Sequence, residues 1–310
     1  MRYLVLGGAG FIGRTMVEKL TECPQNEVVV IDNFSTSPPV AFNTTAHVIR
    51  EDIQYCHTLE EWIKWADVVY FLAGSVGVMK VVAHPYETAH NNMSLAMAVM
   101  PLVKKHNKYV IFTSTSEVYG QGPYEETAPL SIGSPDNLRW VYASTKLTTE
   151  FMVASSGCRY KIYRPFNVTG PGQPGTFGMV IPRFVAAALA GADIEVYGNG
   201  YQRRTFCHAS DAVDIMMSLE RVDENGVFNV GTNDNGNAVS ITELANIVKH
   251  TLNSPSNIVI KSYDQVFVRD SGDIANRIPN MEKVTRTIKL PKFKSLHDII
   301  TEIAGDQMAH

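Results

Sequence analysis

The chain has 310 residues, of which 45% are hydrophobic and 19% charged, and a formal net charge of −4. That length suits about two domains with a large buried core. The composition excludes disordered, collagen-like and low-complexity classes, and the charge excludes the basic footprint of a nucleic-acid binder. No apolar run approaches the roughly 18 residues of a membrane-spanning helix, and the glycines begin too early to leave room for a signal peptide. Cys23, Cys56, Cys158 and Cys207 are scattered, with neither zinc spacing nor a disulfide framework. A cytoplasmic protein is expected, with no metal, nucleic-acid or membrane partner.

The first half alternates apolar runs with helical stretches. Tyr3–Leu6, Val28–Ile31, Val68–Leu72, Tyr109–Phe112 and Lys161–Tyr163 read as buried strands, and 10–22, 58–65, 86–106 and 140–155 as helices. Pro101 should kink or end the third of these helices. The alternation predicts an α/β fold, a Rossmann-type doubly wound parallel sheet. After Arg164 comes a loop rich in glycine and proline, Asn167 to Gly178. Helices near 180–190, 208–220, 240–252 and 295–308, with short strands near 194–197 and 227–230, then predict a smaller α+β lobe. The expected division is 1–165 for a cofactor-binding domain and 166–310 for a substrate lobe, with elements interleaved.

Gly7-Gly8-Ala9-Gly10-Phe11-Ile12-Gly13 joins the first strand to the first helix. Glycine suits that turn because it is tight and a pyrophosphate must approach the backbone at a helix N-terminus. Asp32 ends the second strand, where a carboxylate accepts hydrogen bonds from the adenosine ribose and repels a 2′-phosphate. NAD is therefore expected over NADP. Tyr142 and Lys146 stand four apart on one helix face, where an ammonium would favour the ionised phenol. Upstream, Ile111 to Gly120 reads as a strand ending in hydroxyls and one acid, Thr115-Ser116-Glu117, at the carboxyl edge where open α/β sheets bind ligands.

These motifs, with Asp52-Ile53, Arg164 to Pro171, Gln202 to Phe206 and Arg277-Ile-Pro279, resemble the extended short-chain dehydrogenase/reductases in order and spacing. That family holds the NAD-dependent nucleotide-sugar epimerases, dehydratases and decarboxylases. The resemblance implies Tyr142 as the base at the sugar C4 hydroxyl, Lys146 on the nicotinamide ribose and Thr115 on the C4 oxygen. It implies cofactor contacts at Gly7, Gly10, Phe11, Ile12, Gly13, Asp32, Asn33, Asp52, Ile53, Leu72, Ala73, Gly74 and Asn92. Substrate contacts are implied at Ser116, Asn167, Val180, Arg183, Tyr197, Arg204 and Arg277, and Lys80, in the loop Gly74–Ala83 after the third long strand, offers a charge to a sugar carboxylate. A homodimer built on helices 86–106 and 140–155 is expected by the same analogy.

A transient 4-keto sugar can be epimerised, dehydrated or decarboxylated, and all three routes regenerate NAD. Glu117 is the residue that discriminates. Thr-Ser-Glu resembles the pattern of UDP-glucuronate decarboxylases, and also that of GDP-mannose 4,6-dehydratases, which Asp32 disfavours. Decarboxylation of UDP-glucuronate is the narrow expectation, with 4-epimerisation and 4,6-dehydration as alternatives. A non-catalytic NAD sensor or RNA-binding scaffold is the remote one, since Thr115, Tyr142 and Lys146 are all kept. Phe71-Leu-Ala-Gly74 in place of His-Leu-Ala-Ala, and Asn280 where an Asp is common, are departures that leave the cofactor site intact and bear on which sugar is bound.

Overall fold

The computed structural model describes residues 1–36, 44–175, 178–233, 238–266 and 274–309. The chain runs β1 (Arg2–Leu6), α1 (Phe11–Thr21), β2 (Glu27–Ile31), β3 (His47–Ile49), α2 (Leu59–Trp65), β4 (Val68–Phe71), α3 (Val78–Ala83), α4 (Pro85–Lys105) and β5 (Tyr109–Thr113). A 3-10 turn (Ser116–Tyr119) precedes α5 (Trp140–Ala154), β6 (Tyr160–Pro165), β7 (Val168–Thr169), α6 (Val180–Leu189) and β8 (Ile194–Tyr197). Then follow β9 (Arg203–Thr205), β10 (Cys207–His208), α7 (Ala209–Glu220), β11 (Gly226–Val230), β12 (Ala238–Ser240) and α8 (Ile241–Thr251). β13 (Ile258–Lys261), α9 (Tyr263–Val266), β14 (Asn276–Arg277), α10 (Glu282–Thr287) and α11 (Leu296–Ala309) complete it.

Seven parallel strands form one sheet in the order β11-β6-β5-β4-β1-β2-β3. Its central strands are apolar throughout because both faces are covered. In β1, Leu4 and Leu6 pack against α2 and α4 residues such as Ile63 and Val99, whereas Tyr3 and Val5 face Met16, Val17 and the α7 side chains. Each such Val or Leu, fully removed from water, contributes about 1.5–3 kcal/mol. A second core joins α6, α8 and α11 through Phe184, Leu244 and Ile299. The strand order reverses at β1, so the carboxyl ends of β1 and β4 part to leave a crevice.

The expected doubly wound sheet is present, with differences of detail. The strand anticipated near 227–230 in the smaller lobe is β11, which extends the large sheet beside β6, and α7 packs on α1. The stretch from Gly74 to Ala83, read as loop, holds the short helix α3, and β3 was not foreseen because its residues are half-exposed at the sheet edge. Pro101 does not end α4, which continues to Lys105. The bond that Pro101 cannot donate would have reached the carbonyl of Met97, and Met97 is on the solvent side of the helix, where water can replace it. Of the Asn167–Gly178 loop, Thr176 and Phe177 lie outside the described residues.

Candidate active site

A cavity of about 490 Å³ opens at the crevice and runs from the glycine loop to the lobe formed by α6 and β8. Every residue anticipated for the site lines it except Asn92.

At one end is the glycine loop. A Cβ on Gly13 would stand 2.3 Å from the carbonyl oxygen of Gly7, and one on Gly7 2.6 Å from the backbone nitrogen of Ala73. Gly7 also has φ +84°, so the turn accepts only glycine there. No side chain caps the start of α1, and its first residues, Phe11 and Ile12, line the cavity. This leaves backbone N–H donors and the positive helix end for an anion, the arrangement that a dinucleotide's pyrophosphate requires. Asp32 stands at the end of β2. Its carboxylate accepts bonds from the backbone N–H of Ala9 (2.9 Å) and of Phe34 (2.7 Å), while burial pushes its pKa up. Next to it Asn33 donates to Asp52 (2.8 Å), and Ile53 and Leu72–Gly74 continue the wall. The residues present fit NAD.

Asn92 stands behind that wall. Its Oδ1 accepts the backbone N–H of Ser75 (2.7 Å) and its amide donates to the Thr145 hydroxyl (3.2 Å), so both its polar atoms brace the β4 loop against α5. Lys80 is on the wall too, carried by α3 rather than by a loop.

The chemical centre is where β5 ends. Thr115 caps the 3-10 turn, its hydroxyl accepting the backbone N–H of Glu117 (3.2 Å) and standing close enough to the Tyr142 phenol to act on its pKa. Tyr142 does not have the lowered pKa that its spacing to Lys146 suggested. Burial raises it and the Glu117 charge raises it further, against the opposing effects of Thr115 and Arg277. Lys146 donates to the carbonyl of Thr113 (2.8 Å), and burial lowers its pKa to about 8 against the opposing charge of Glu150.

Glu117 is 7% exposed and bridged by two arginines. Its Oε1 accepts from Arg139 Nη2 (3.2 Å) and from Arg277 Nη1 (2.5 Å). Burial alone would raise its pKa, but the two guanidinium groups outweigh burial and hold it below the usual carboxylate value. Arg277 also donates to Asn167 Oδ1 (2.6 Å), whose amide donates to the carbonyl of Thr205 (2.8 Å). Asn167 has φ +41°, which asparagine tolerates better than most residues. Arg204 is buried against the carbonyls of Arg203 and Ala275.

Three features of the site were not anticipated. Arg139 is the second guanidinium on Glu117. Glu150, one turn beyond Lys146, is bound by Arg164 (2.9 Å at Nε, 2.5 Å at Nη2) and by the Ser114 hydroxyl, all buried. Asn91 links Ser75 (3.0 Å) to Gln54 (3.0 Å) beside Asn92. An arginine inside the apolar strand Tyr160–Pro165 was the available signal for the second of these, because a buried charge needs a partner.

The model of the NAD dependent epimerase/dehydratase family matches residues 3–231. A UDP-N-acetyl-alpha-D-glucosaminuronate decarboxylase of Bacillus cytotoxicus is 33% identical over 91% of this chain and 90% of its own length. UDP-glucuronic acid decarboxylase 3 of Arabidopsis thaliana is 32% identical over 95% of this chain and 85% of that protein. Among solved structures, a UDP-N-acetylglucosamine 4-epimerase from Methanobrevibacter ruminantium M1, in complex with UDP-N-acetylmuramic acid, superposes with a TM-score of 0.86 at 28% identity, covering 99% and 98% of the two chains. The glycine cradle, the Thr115–Tyr142–Lys146 centre and these matches agree, and the chain belongs to the NAD-dependent epimerase/dehydratase family of enzymes.

Proposed function

We propose that this enzyme decarboxylates a UDP-hexuronate after transient oxidation at C4 of the sugar. Gly7, Gly10, Phe11, Ile12 and Gly13 would hold the NAD pyrophosphate, Asp32 and Asn33 the adenosine ribose, and Asp52 and Ile53 the adenine. Leu72, Ala73 and Gly74 would border the nicotinamide half. When bound, NAD supplies the hydride acceptor at C4 and returns the hydride at the end of the cycle. Tyr142 removes the C4 hydroxyl proton, Thr115 and Ser116 hold the sugar oxygens, and Lys146 holds the nicotinamide ribose. Arg204, Arg277 and Asn167 receive the diphosphate, where guanidinium forks match phosphate oxygens.

The observation that carries the choice among the three routes is the pairing of Glu117 with Arg139 and Arg277. Dehydration asks for a base that takes the C5 proton and also for an acid that gives one to the departing C6 hydroxyl, and a carboxylate held ionised by two arginines is a poor donor for the second of these at neutral pH. A 4-keto uronate is a β-keto acid. Its C5–C6 bond breaks as carbon dioxide leaves, and the electron pair passes into the C4 carbonyl as an enolate. C5 then takes a proton from water, so breaking the bond asks no proton of Glu117. Charge points the same way. Lys80, Arg139, Arg183, Arg204 and Arg277 line the sugar and nucleotide end, where Glu117 is the acid among the described residues. A UDP-hexuronate brings a carboxylate as well as the diphosphate to that cationic wall.

A proton NMR time course with UDP-glucuronate, and in parallel UDP-N-acetylglucosaminuronate, tests this. Decarboxylation gives a new pentose anomeric signal and carbon dioxide. A 4-epimer with C6 retained would favour the second reading, supported by the fold shared with the 4-epimerase. The same reading includes a cytoplasmic homodimer. Met97 on α4 and Phe151 on α5 are 59% and 67% exposed on two helices that pack side by side, an apolar face suited to its own copy.

A further inference from the structure

We infer that the buried Glu150–Arg164 ion pair is a positioning device for the C4 oxidation, holding the segment that carries Thr115 and Glu117 in register with the helix that carries Tyr142 and Lys146. This rests on the reading of Thr115, Tyr142 and Lys146 as the reacting centre and asks what keeps them together. They come from two separate pieces of chain. Tyr142 and Lys146 stand on α5, whereas Thr115 and Glu117 belong to the backbone that leaves β5 and enters the 3-10 turn. Glu150, one turn beyond Lys146, reaches that backbone. Its Oε1 accepts the hydroxyl of Ser114, the residue just before Thr115, and the Nε of Arg164 (2.9 Å), while its Oε2 accepts Arg164 Nη2 (2.5 Å). The Arg164 guanidinium lies over the ring of Tyr119, 4.6 Å from its centroid, and Tyr119 is the last residue of the 3-10 turn. The Tyr119 hydroxyl is fixed in turn, donating to Asn229 Oδ1 (2.8 Å). Ser114 and Tyr119 bracket Thr115, Ser116 and Glu117, so one ion pair grips the reactive segment at both ends.

Glu150, Arg164, Ser114 and Tyr119 are all buried, and neither member of the ion pair lines the cavity. Their effect on the reaction is therefore exerted through their neighbours. A buried ion pair adds little stability over apolar side chains of the same volume, because desolvation offsets the attraction. What a two-point contact between guanidinium and carboxylate adds is direction. Here it ties three elements, α5 through Glu150, β6 through Arg164 and the end of β5 through Ser114, whose N–H also donates to the Tyr163 carbonyl (2.7 Å). Lys146, donating to the Thr113 carbonyl (2.8 Å), makes a parallel tie one turn earlier. The chemistry needs this register, since Tyr142 takes its proton from the same C4 oxygen that Thr115 holds. A misplacement of about 1 Å between such groups costs about 10²-fold in rate.

Turnover of UDP-glucuronate, and in parallel of UDP-N-acetylglucosaminuronate, by NAD-loaded wild type, Glu150→Gln and Ser114→Ala tests the inference. Calorimetry with NAD counts the loaded sites, so that kcat is expressed per loaded site. Glu150→Gln leaves one acceptor oxygen for three donors and should lower kcat at least about tenfold. Ser114→Ala frees one end of the segment and should lower kcat at least about threefold. In both, KM and NAD affinity should stay within about twofold, because the groups that hold cofactor and diphosphate are untouched. Ser114→Ala keeps every charge, so it separates position from electrostatics and gives the answer if Glu150→Gln does not fold. A pair that served stability alone would lower Tm and the number of loaded sites and leave kcat per loaded site unchanged, which overturns the inference. A loss in Glu150→Gln with Ser114→Ala at the wild-type rate overturns it too, since the charge would then act without the tie. Either result leaves the C4-oxidation reading standing, whereas wild-type enzyme that turns over neither substrate overturns both.

Discussion

Replacing Glu117 with glutamine keeps the shape of the side chain and removes its charge, leaving Arg139 and Arg277 facing each other in a buried site. Removing one partner of a buried ion pair costs about 3–5 kcal/mol, and the amide oxygen that remains to accept a hydrogen bond places this variant at the lower end, about 3 kcal/mol. With about 2.1 cal/mol/K of unfolding entropy per residue, a chain of 310 residues loses about 5 °C of Tm. The pH dependence separates lost charge from lost packing. The folded-state pKa of Glu117 is lowered from its ordinary 4.5, so its contribution is fully present above the unfolded value. It is lost as pH falls through the folded value. The gap in Tm between wild type and Glu117→Gln should therefore be widest near neutrality and narrow as the pH drops below about 4.5. Calorimetric scans from pH 7 to pH 3 measure it. A gap under about 1 °C at pH 7, or one that stays constant into acid, would refute the claim that two arginines hold this carboxylate ionised.

Tyr142→Phe should lower turnover by about 10²–10⁴-fold, the worth of a positioned base, while NAD affinity measured by calorimetry stays within about twofold. Unchanged turnover would sink the enzymatic reading. Gly13→Ala should weaken NAD by at least about tenfold, since its methyl must displace the Gly7 carbonyl that shapes the pyrophosphate turn; retained affinity would mean the loop does not hold the cofactor. The plot of log kcat/KM against pH should rise and then level near pH 8, where the Tyr142–Lys146 pair loses its first proton. Lys146→Met should move that limb upward, towards the raised pKa of Tyr142 alone, and an unmoved limb would mean that another group sets it.

The parallel sheet was legible because its strands are short, apolar and separated by amphipathic stretches, and burial on both faces leaves no other pattern. The cofactor loop was legible because close backbone approach admits only glycine. β3 carried no such signature. Its residues are half-exposed at an edge, and its pairing comes from β2 rather than from its own apolarity. Arg277 and Glu117 were both singled out, but their contact spans 160 positions and no local rule announces it. Arg139 and Glu150 show the same limit: each looks like an ordinary surface charge until the fold buries it against its partner. Asn92 shows a different limit: it was expected among the cofactor contacts, and no sequence rule announced that its amide would bond Ser75 and Thr145 behind the cavity wall.

The Tyr142–Lys146 pair shows why spacing alone misjudges a catalytic pKa. Four residues on a helix bring phenol and ammonium to one face, and the Coulomb argument then lowers the phenol. In this chain the same helix carries both groups out of water. Desolvation penalises the charged form of each, so the tyrosine rises while the lysine falls. The Glu117 charge raises the tyrosine again. The fold opposes this on the lysine side. Lys146 donates to Thr113, and Glu150, a turn away, adds a negative charge that favours the ammonium. Glu150 is itself held by Arg164 and Ser114. The Tyr142 phenol is therefore protonated in the resting site. Two parts of the site follow from this. The Glu150 charge offsets part of the burial that lowers Lys146, and the pairing of Glu117 with two arginines limits how far that acid opposes Tyr142.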